Sequence, residues 1–145
     1  LRFFLNQGFN QVEYVGYGPT ESYLDKHHAT AFGRYKTTPE SNHVSYLKPQ
    51  ENGSHYGCRE VKVANSSDCF TVQSHTPFNM NVSPYSQEEL GSKKHQYDLE
   101  KSGSTILCVD YKMSGVGSNS CGPALKTQYR LNETEWDWAI SLQIT

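Results

Sequence analysis

The chain has 145 residues, a length that suits one domain with a single core. Its 13 Lys and Arg and 15 Asp and Glu are mixed along the chain without a basic stripe, which argues against nucleic acid and anionic lipid as partners. No stretch approaches the roughly 20 consecutive apolar residues of a membrane span, and residues 1–5 lack the layout of a signal peptide. Because 12% of the residues are aromatic and the apolar residues fall in short runs, the composition indicates a folded sheet protein.

Short segments of strand character follow one another along the chain. The predicted strands cover, in chain order, residues 3–6, 12–17, 29–36, 58–63, 69–73, 78–82, 105–112, 127–131 and 136–142. Polar and apolar residues alternate most clearly in the second, fourth, sixth and last of these segments, and Gly, Pro, Asn and Ser clusters separate them. Strands this closely spaced predict an all-β fold, an antiparallel β-sandwich in which residues 1–145 form a single unit.

Helix is expected in at most one or two short turns, at residues 86–91. Ser86 is placed to cap the backbone N–H of Glu89, and Gly91 is placed to end the turn in a left-handed conformation. Asn52-Gly53 fits a hairpin turn in which both residues adopt a positive φ.

Cysteine and histidine spacing indicates no metal site. The cysteines fit no disulfide framework, so free and mostly buried thiols are expected. Only His27 and His28 are adjacent among the histidines, and we expect their rings to point to different sides. Because a closed zinc site needs four convergent ligands, we predict no metal and no cofactor in this chain. The four cysteines are Cys58, Cys69, Cys108 and Cys121.

Glu21 and Asp25 flank Tyr23 in a segment that begins with Gly-Pro. Glycoside hydrolysis requires two carboxyl groups about 5 to 9.5 Å apart across a sugar-sized cleft, and this pair is a candidate for such acid–base chemistry. Charged residues in a Gly-Pro turn are more often solvated or cap the backbone. The structural interpretation is therefore favoured over the catalytic one.

Residues 113–123 (Met-Ser-Gly-Val-Gly-Ser-Asn-Ser-Cys-Gly-Pro) form the most unusual stretch. The small residues predict a compact surface loop whose backbone approaches a neighbour closely. The loop matches neither a dinucleotide-binding nor a phosphate-binding glycine motif. Cys121 as a nucleophile would need a His partner, which the sequence does not identify.

Four motifs occur in order along most of the chain. Residues 18–26 read Gly-Pro-x-Glu-x-Tyr-x-Asp-Lys, and residues 46–53 read Tyr-x-x-Pro-x-Glu-Asn-Gly. Residues 83–90 (Ser-Pro-Tyr-Ser-Gln-Glu-Glu-Leu) and the loop 113–123 follow. In this order and spacing, the motifs resemble the C-terminal domain of the family 2 glycoside hydrolases with β-galactosidase activity.

The resemblance implies a supersandwich domain related in fold to galactose mutarotase, of which this chain is the second half. The chain lacks an initiator Met and begins within an apolar run, which predicts truncation before Leu1. In the family, both catalytic glutamates and a magnesium site belong to a (β/α)8 barrel domain, which carries out retaining hydrolysis of terminal β-D-galactosides. The expected partners are that barrel domain, or a large subunit, and the β-galactoside sugar, in the cytoplasm.

The resemblance also assigns a pocket role to the loop 113–123. In the family an aromatic residue of this loop forms part of the sugar site, and Cys121 occupies the matching position. A thiol lacks the broad apolar face on which a sugar ring stacks. The candidate pocket residues are therefore Ser118, Asn119 and Cys121, with no catalytic residue in this chain; a loop that only packs against the barrel is the alternative.

The resulting hypothesis is a non-catalytic C-terminal domain that completes or packs against the active site of a β-galactosidase. The alternative is a free-standing carbohydrate-binding or mutarotase-like module, which would need a His/Glu pair across a sugar cleft. A role in subunit assembly, with a homo-oligomer, is compatible with the first hypothesis.

Overall fold

The computed structural model describes residues 1–117 and 123–145. Two short helices and 3₁₀ turns at Gln96–Asp98 and Thr127–Tyr129 lie between the strands. The helices are α1 (Pro39–Asn42) and α2 (Gln87–Ser92). The strands are β1 (Arg2–Asn6), β2 (Gln11–Gly18), β3 (Ala31–Thr37), β4 (Ser54–Ala64), β5 (Cys69–Ser83), β6 (Ser104–Asp110) and β7 (Ser141–Ile144).

The strands form one antiparallel sheet in the order β1-β6-β5-β4-β2-β3. β5 is long enough to hold two neighbours on the same side: its first part, residues 70–73, pairs with β7, and its last part, residues 79–83, pairs with β6. The predicted segments 69–73 and 78–82 are thus two parts of one strand. The all-β antiparallel fold with short helical turns is confirmed.

The hairpin of β4 and β5 forms the middle of the sheet. Asn65 closes its turn, because the Asn65 side-chain oxygen accepts the backbone N–H of Asp68 at 2.6 Å. The register shifts between His55 and Cys58, and Gly57 lies there with a φ of 65°. Glycine adopts this left-handed conformation without strain, so the irregularity bends β4 at little cost.

The sheet folds over onto itself. β1 and β2 lie four strand intervals apart in the sheet order, about 19 Å in a flat sheet. The connection between them is a tight turn, in which the Phe9 N–H donates to the Asn6 carbonyl at 3.1 Å. Since so compact a turn does not cover the flat distance, β1 lies over the middle strands, and the Phe3 ring is 5.0 Å from that of Phe70 on β5. This closure produces the sandwich layers.

The core lies between these layers and is lined by alternate residues of the strands. β2 illustrates this alternation, because Val12 and Tyr14 are buried while Glu13 and Val15 are only partly covered. Each fully buried aliphatic side chain contributes about 1.5 to 3 kcal/mol. The central members of the core are Val61, Val63, Val72, Met80, Val82, Leu107 and Val109.

The alternation at the chain's end proved to have a different origin. The predicted strand 136–142 is wrong over its first part, because only Ser141–Ile144 forms a strand. Trp138 and Ile140 do pack against the core, and the Trp138 indole N–H donates to Ser74 Oγ at 3.2 Å. A segment outside the strands thus packs alternate side chains against the core, which gives the same alternation of polar and apolar residues as a strand. The predicted strand 127–131 is also wrong, because Thr127–Tyr129 forms a 3₁₀ turn.

The predicted helix is present with one difference. The Ser86 hydroxyl accepts the Glu89 N–H at 3.0 Å, which confirms the cap. The left-handed ending at Gly91 is wrong, because α2 continues to Ser92 and ends at Lys93 with a φ of −87°. The Lys93 N–H donates to the Glu89 carbonyl, so the last turn closes without a glycine cap.

The short helix α1 was missed by the sequence reasoning. Thr38 caps it by accepting the Ser41 N–H at 3.0 Å. Asn42 attaches it to the sheet, since its amide donates to the carbonyls of Gly53 at 2.7 Å and Val82 at 3.0 Å. The predicted positive φ is confirmed at Gly53, where φ is 70°. The predicted hairpin at Asn52-Gly53 is wrong, because β3 and β4, which flank these residues, pair with β2 and not with each other.

Candidate functional site

The candidate sugar-pocket residues Ser118, Asn119 and Cys121 lie outside the described residues. The segment directly before them, residues 113–117, is described, and so is the chain from Pro123 onward. The described part of the site therefore consists of the start of the loop and the elements that hold it.

Asp25 holds the start of the loop. Its two carboxylate oxygens accept the backbone N–H groups of Val116 and Gly117, each at 3.0 Å. The Gly115 N–H donates to the Tyr129 carbonyl at 3.0 Å. The loop is thus fixed on one side by a carboxylate and on the other by the 3₁₀ turn at Thr127–Tyr129.

Glu21 organises the segment that carries Asp25. One Glu21 oxygen accepts from Lys26 Nζ at 2.7 Å and from the Tyr46 hydroxyl, and the other accepts the Gly53 N–H at 2.9 Å. Only 7% of the Glu21 side chain is exposed. Burial on its own disfavours the charged carboxylate, but the hydrogen bonds from Lys26, Tyr46 and Gly53 outweigh it, so the pKa of Glu21 lies below its ordinary value. Glu21 is a charged structural anchor.

Both members of the candidate acid–base pair therefore have structural partners. Glu21 joins the segment 18–26 to Tyr46 and Gly53, and Asp25 joins it to the loop 113–117. The structural interpretation of this pair from the sequence agrees with these contacts. The partner of Asp25 was missed, because a backbone N–H group has no signature in a sequence.

The contacts of Glu21 and Asp25 join three of the four motifs found in the sequence. Residues 1–144 match the family model described as "Beta galactosidase small chain". The chain belongs to the β-galactosidase small-chain family.

Similar proteins carry the name β-galactosidase. The one from Actinobacillus pleuropneumoniae is 57% identical over 136 residues, 94% of this chain and 13% of that protein. Those from Staphylococcus xylosus and Kluyveromyces lactis are 37% and 34% identical, over 96% and 97% of this chain and 14% of each protein. This small chain thus spans only 13% to 14% of the length of the relatives that it matches.

Two clefts flank the anchored segment of the chain. One, of about 630 Å³, is lined by Asp25, Lys26 and His27, and the other, of about 350 Å³, is lined by Leu24 and by Met113 at the base of the loop. The neighbouring residues Leu24 and Asp25 thus border different clefts. The turn at residues 23–26, which holds the start of the loop, therefore separates the two clefts.

The adjacent histidines depart from the expectation. The rings of His27 and His28 stack with centroids 4.6 Å apart and an angle of 21° between their planes, so they do not point to different sides. His27 Nδ1 lies 3.1 Å from the Tyr23 carbonyl oxygen. The ring is held by the same turn that presents Asp25.

A half-buried carboxylate, that of Glu51, lies away from the loop. Glu51 accepts from the side-chain amides of Asn81 at 3.2 Å and Gln87 at 3.2 Å. Burial raises the pKa of Glu51 above its ordinary value, and the nearby Asp110 carboxylate acts in the same direction. These contacts tie the segment before β4 to β5 and α2.

In residues 1–117 and 123–145, no three His, Cys, Asp or Glu side chains converge in a group that could hold a metal ion. Cys58, Cys69 and Cys108 are free, with Cys58 and Cys108 buried, as predicted for these thiols. Within the same part of the chain, no helix is long and apolar enough to cross a membrane.

Proposed function

We propose that this chain is the second half of the C-terminal domain of a β-galactosidase. The rest of the enzyme, a (β/α)8 barrel domain or a large subunit with both catalytic glutamates and the magnesium ion, hydrolyses terminal β-D-galactosides with retention. The family match and the names of the relatives support this proposal, and so does the small share of each relative that the chain covers.

The chain itself is non-catalytic in this proposal. The observation that carries this point is the use of Glu21 and Asp25 as structural anchors, each bound to groups of its own chain. A retaining glycosidase needs one carboxyl group as an acid and one as a nucleophile, both free to reach the sugar. A carboxylate that already accepts two or more internal hydrogen bonds is a poor candidate for either role.

The contribution of the chain to the active site is the loop that contains Ser118, Asn119 and Cys121. The anchoring of Val116 and Gly117 by Asp25 supports a fixed position for the start of this loop. Because functional loops act from rigid supports, such an anchor suits a loop that borders a substrate pocket. The free thiols of Cys58, Cys69 and Cys108 are consistent with a cytoplasmic location.

A chimera tests the proposal. The matching segment of the Actinobacillus pleuropneumoniae relative, which is 57% identical, is replaced by this chain, and a second variant has that segment deleted. We expect the chimera to hydrolyse a chromogenic β-galactoside and the deletion variant to be inactive. The isolated chain should also be inactive.

Two outcomes would contradict the proposal. Turnover by the isolated chain, after rigorous removal of contaminating enzyme, would show that it holds its own acid and base. An inactive chimera with a folded barrel would show that the chain does not complete the enzyme. Galactose binding by the isolated chain would favour the alternative, a free-standing carbohydrate-binding or mutarotase-like module.

A further inference from the structure

Asp25 and the loop are far apart in the sequence and are joined by a pair of matched contacts. The donors, Val116 N–H and Gly117 N–H, are consecutive, and each carboxylate oxygen takes one of them at 3.0 Å. Hydrogen bonds to an ionised acceptor are about twice as strong as those between neutral groups. The two contacts together fix both the position and the direction of the backbone at this point.

Gly115 leaves room for the Asp25 carboxylate because it has no side chain. A Cβ placed on Gly115 would lie 2.5 Å from the carboxyl carbon of Asp25 and 2.5 Å from its Oδ2 atom. The φ of Gly115 is not in the left-handed region, so its backbone conformation is open to other residues. The requirement for glycine at this position therefore comes from the closeness of Asp25.

Asp25 is itself held rigidly. Its turn is closed by two backbone hydrogen bonds between Tyr23 and Lys26, at 2.9 and 3.0 Å. Ser22, which is fully buried, donates its hydroxyl proton to the Tyr17 carbonyl at 3.1 Å and accepts the Tyr56 N–H at 2.9 Å. The turn is thus attached to β2 and β4, in the middle of the sheet.

We propose that Asp25 is a positioning residue for galactoside binding, which acts by holding the backbone N–H groups of Val116 and Gly117 and thereby the loop that follows them. The inference rests on the proposed function, since it requires that this loop borders the sugar pocket. The inference adds to the proposed function the residue that positions the loop. It also explains why residue 115 is a glycine. Asp25 does not touch the sugar in this role.

The test uses the chimera and compares Asp25→Ala, Asp25→Asn and Gly115→Ala. We expect Asp25→Ala and Gly115→Ala each to raise KM for the galactoside about tenfold with kcat changed less than about twofold, because a displaced loop weakens substrate binding. Asp25→Asn keeps one acceptor oxygen and should raise KM about threefold. Asp68→Asn, in the exposed hairpin turn, removes the same charge elsewhere and should leave both constants unchanged.

The double variant Asp25→Ala/Gly115→Ala separates a specific contact from general damage. When the Asp25 carboxylate is absent, the methyl group added at residue 115 no longer clashes with it. Adding Gly115→Ala to Asp25→Ala should therefore raise KM by less than a further factor of about two. Fully additive effects would show that the two residues act independently, which would overturn the proposal.

Backbone hydrogen exchange in the same chimera provides a readout without turnover. The amides of Val116 and Gly117 should exchange about tenfold faster in Asp25→Ala than in the unchanged chain, while those of β4 stay protected. An unchanged KM in Asp25→Ala, with an active parent chimera, would overturn the positioning role alone. An inactive parent chimera would overturn the proposed function together with this inference.

Discussion

At the scale of single residues, buried polar side chains hold the irregular parts of this small chain in place. Glu21 receives donors from Lys26, Tyr46 and Gly53, and Asn42 donates to Gly53 and Val82. Gly53 takes part in both sets, and a Cβ on it would lie 2.5 Å from the Asn42 carbonyl oxygen. Segments outside the strands are thus held by a few side chains close to Gly53, which directly precedes β4.

The Glu21 network predicts a loss of stability in acid. The pKa of Glu21 is lowered from 4.5 in the folded chain, so its contribution is fully present above pH 4.5 and is lost as the pH falls through the folded-state pKa. We expect Glu21→Gln to destabilise the chain by about 2 kcal/mol at about pH 7 and to flatten the acid dependence, because the single oxygen of the amide cannot accept all of these donors. Urea denaturation at a series of pH values measures both effects.

Glu100→Gln is the matched control, since Glu100 is exposed. It should leave the acid dependence as it is in the unchanged chain. If Glu21→Gln and Glu100→Gln had the same pH profile, the network would contribute nothing to acid stability.

At the scale of elements, the close approach of β2 and β4 requires glycine at position 16. The reason is lack of space for a side chain, since the φ of Gly16 is not in the left-handed region. A Cβ on Gly16 would lie 2.5 Å from Cys58 Sγ and 3.1 Å from Cys58 Cα. Cys58 is fully buried and follows the irregularity at Gly57. The bend of β4 therefore brings its backbone onto β2 at a place where only a residue without a side chain fits.

We predict that Gly16→Ala destabilises the chain by about 1 to 3 kcal/mol through overpacking. Cys58→Ala in the same chain should recover part of this loss, because it removes the sulfur atom but leaves the close Cα. Thermal unfolding measures both variants. Gly91→Ala is the control: nothing lies within 4 Å of a Cβ there, and alanine should stabilise α2 or leave it unchanged. Equal losses for Gly16→Ala and Gly91→Ala would contradict the packing argument.

At the scale of the whole molecule, the sheet ends in open edges. Among the described residues, β1 pairs only with β6 and β3 only with β2. Phe4 on β1 is 61% exposed and Phe32 on β3 is 52% exposed. Strand edges with exposed apolar side chains are templates for pairing with another chain.

The isolated chain should therefore self-associate through β1. We expect Phe4→Lys to weaken association about tenfold, because a charge on an edge strand opposes edge-to-edge pairing. Leu47→Lys makes the same kind of change at a side chain that is 99% exposed outside the strands, and it should have no effect. Sedimentation over a range of concentrations measures this. A monomeric chain at high concentration would contradict the prediction.

Much of the sheet could be predicted from the sequence, because strand alternation is local. Segments 12–17 and 58–63 lie within β2 and β4, and the Ser86 cap depends on a residue only three positions away. Family membership could also be predicted, since four motifs keep their order and spacing along the chain. These features need no knowledge of the path that the chain takes in space.

The remaining features depend on contacts between distant parts of the chain. Asp25 meets Val116 across 91 positions, and Trp138, which packs against the core, donates its indole N–H to Ser74, 64 positions away. The closure of the sheet, which places Phe3 against Phe70, follows from the strand order and the short turn after β1. Because backbone N–H groups and packing surfaces are common to all residues, local sequence marks none of these pairs, and only the tertiary structure decides them.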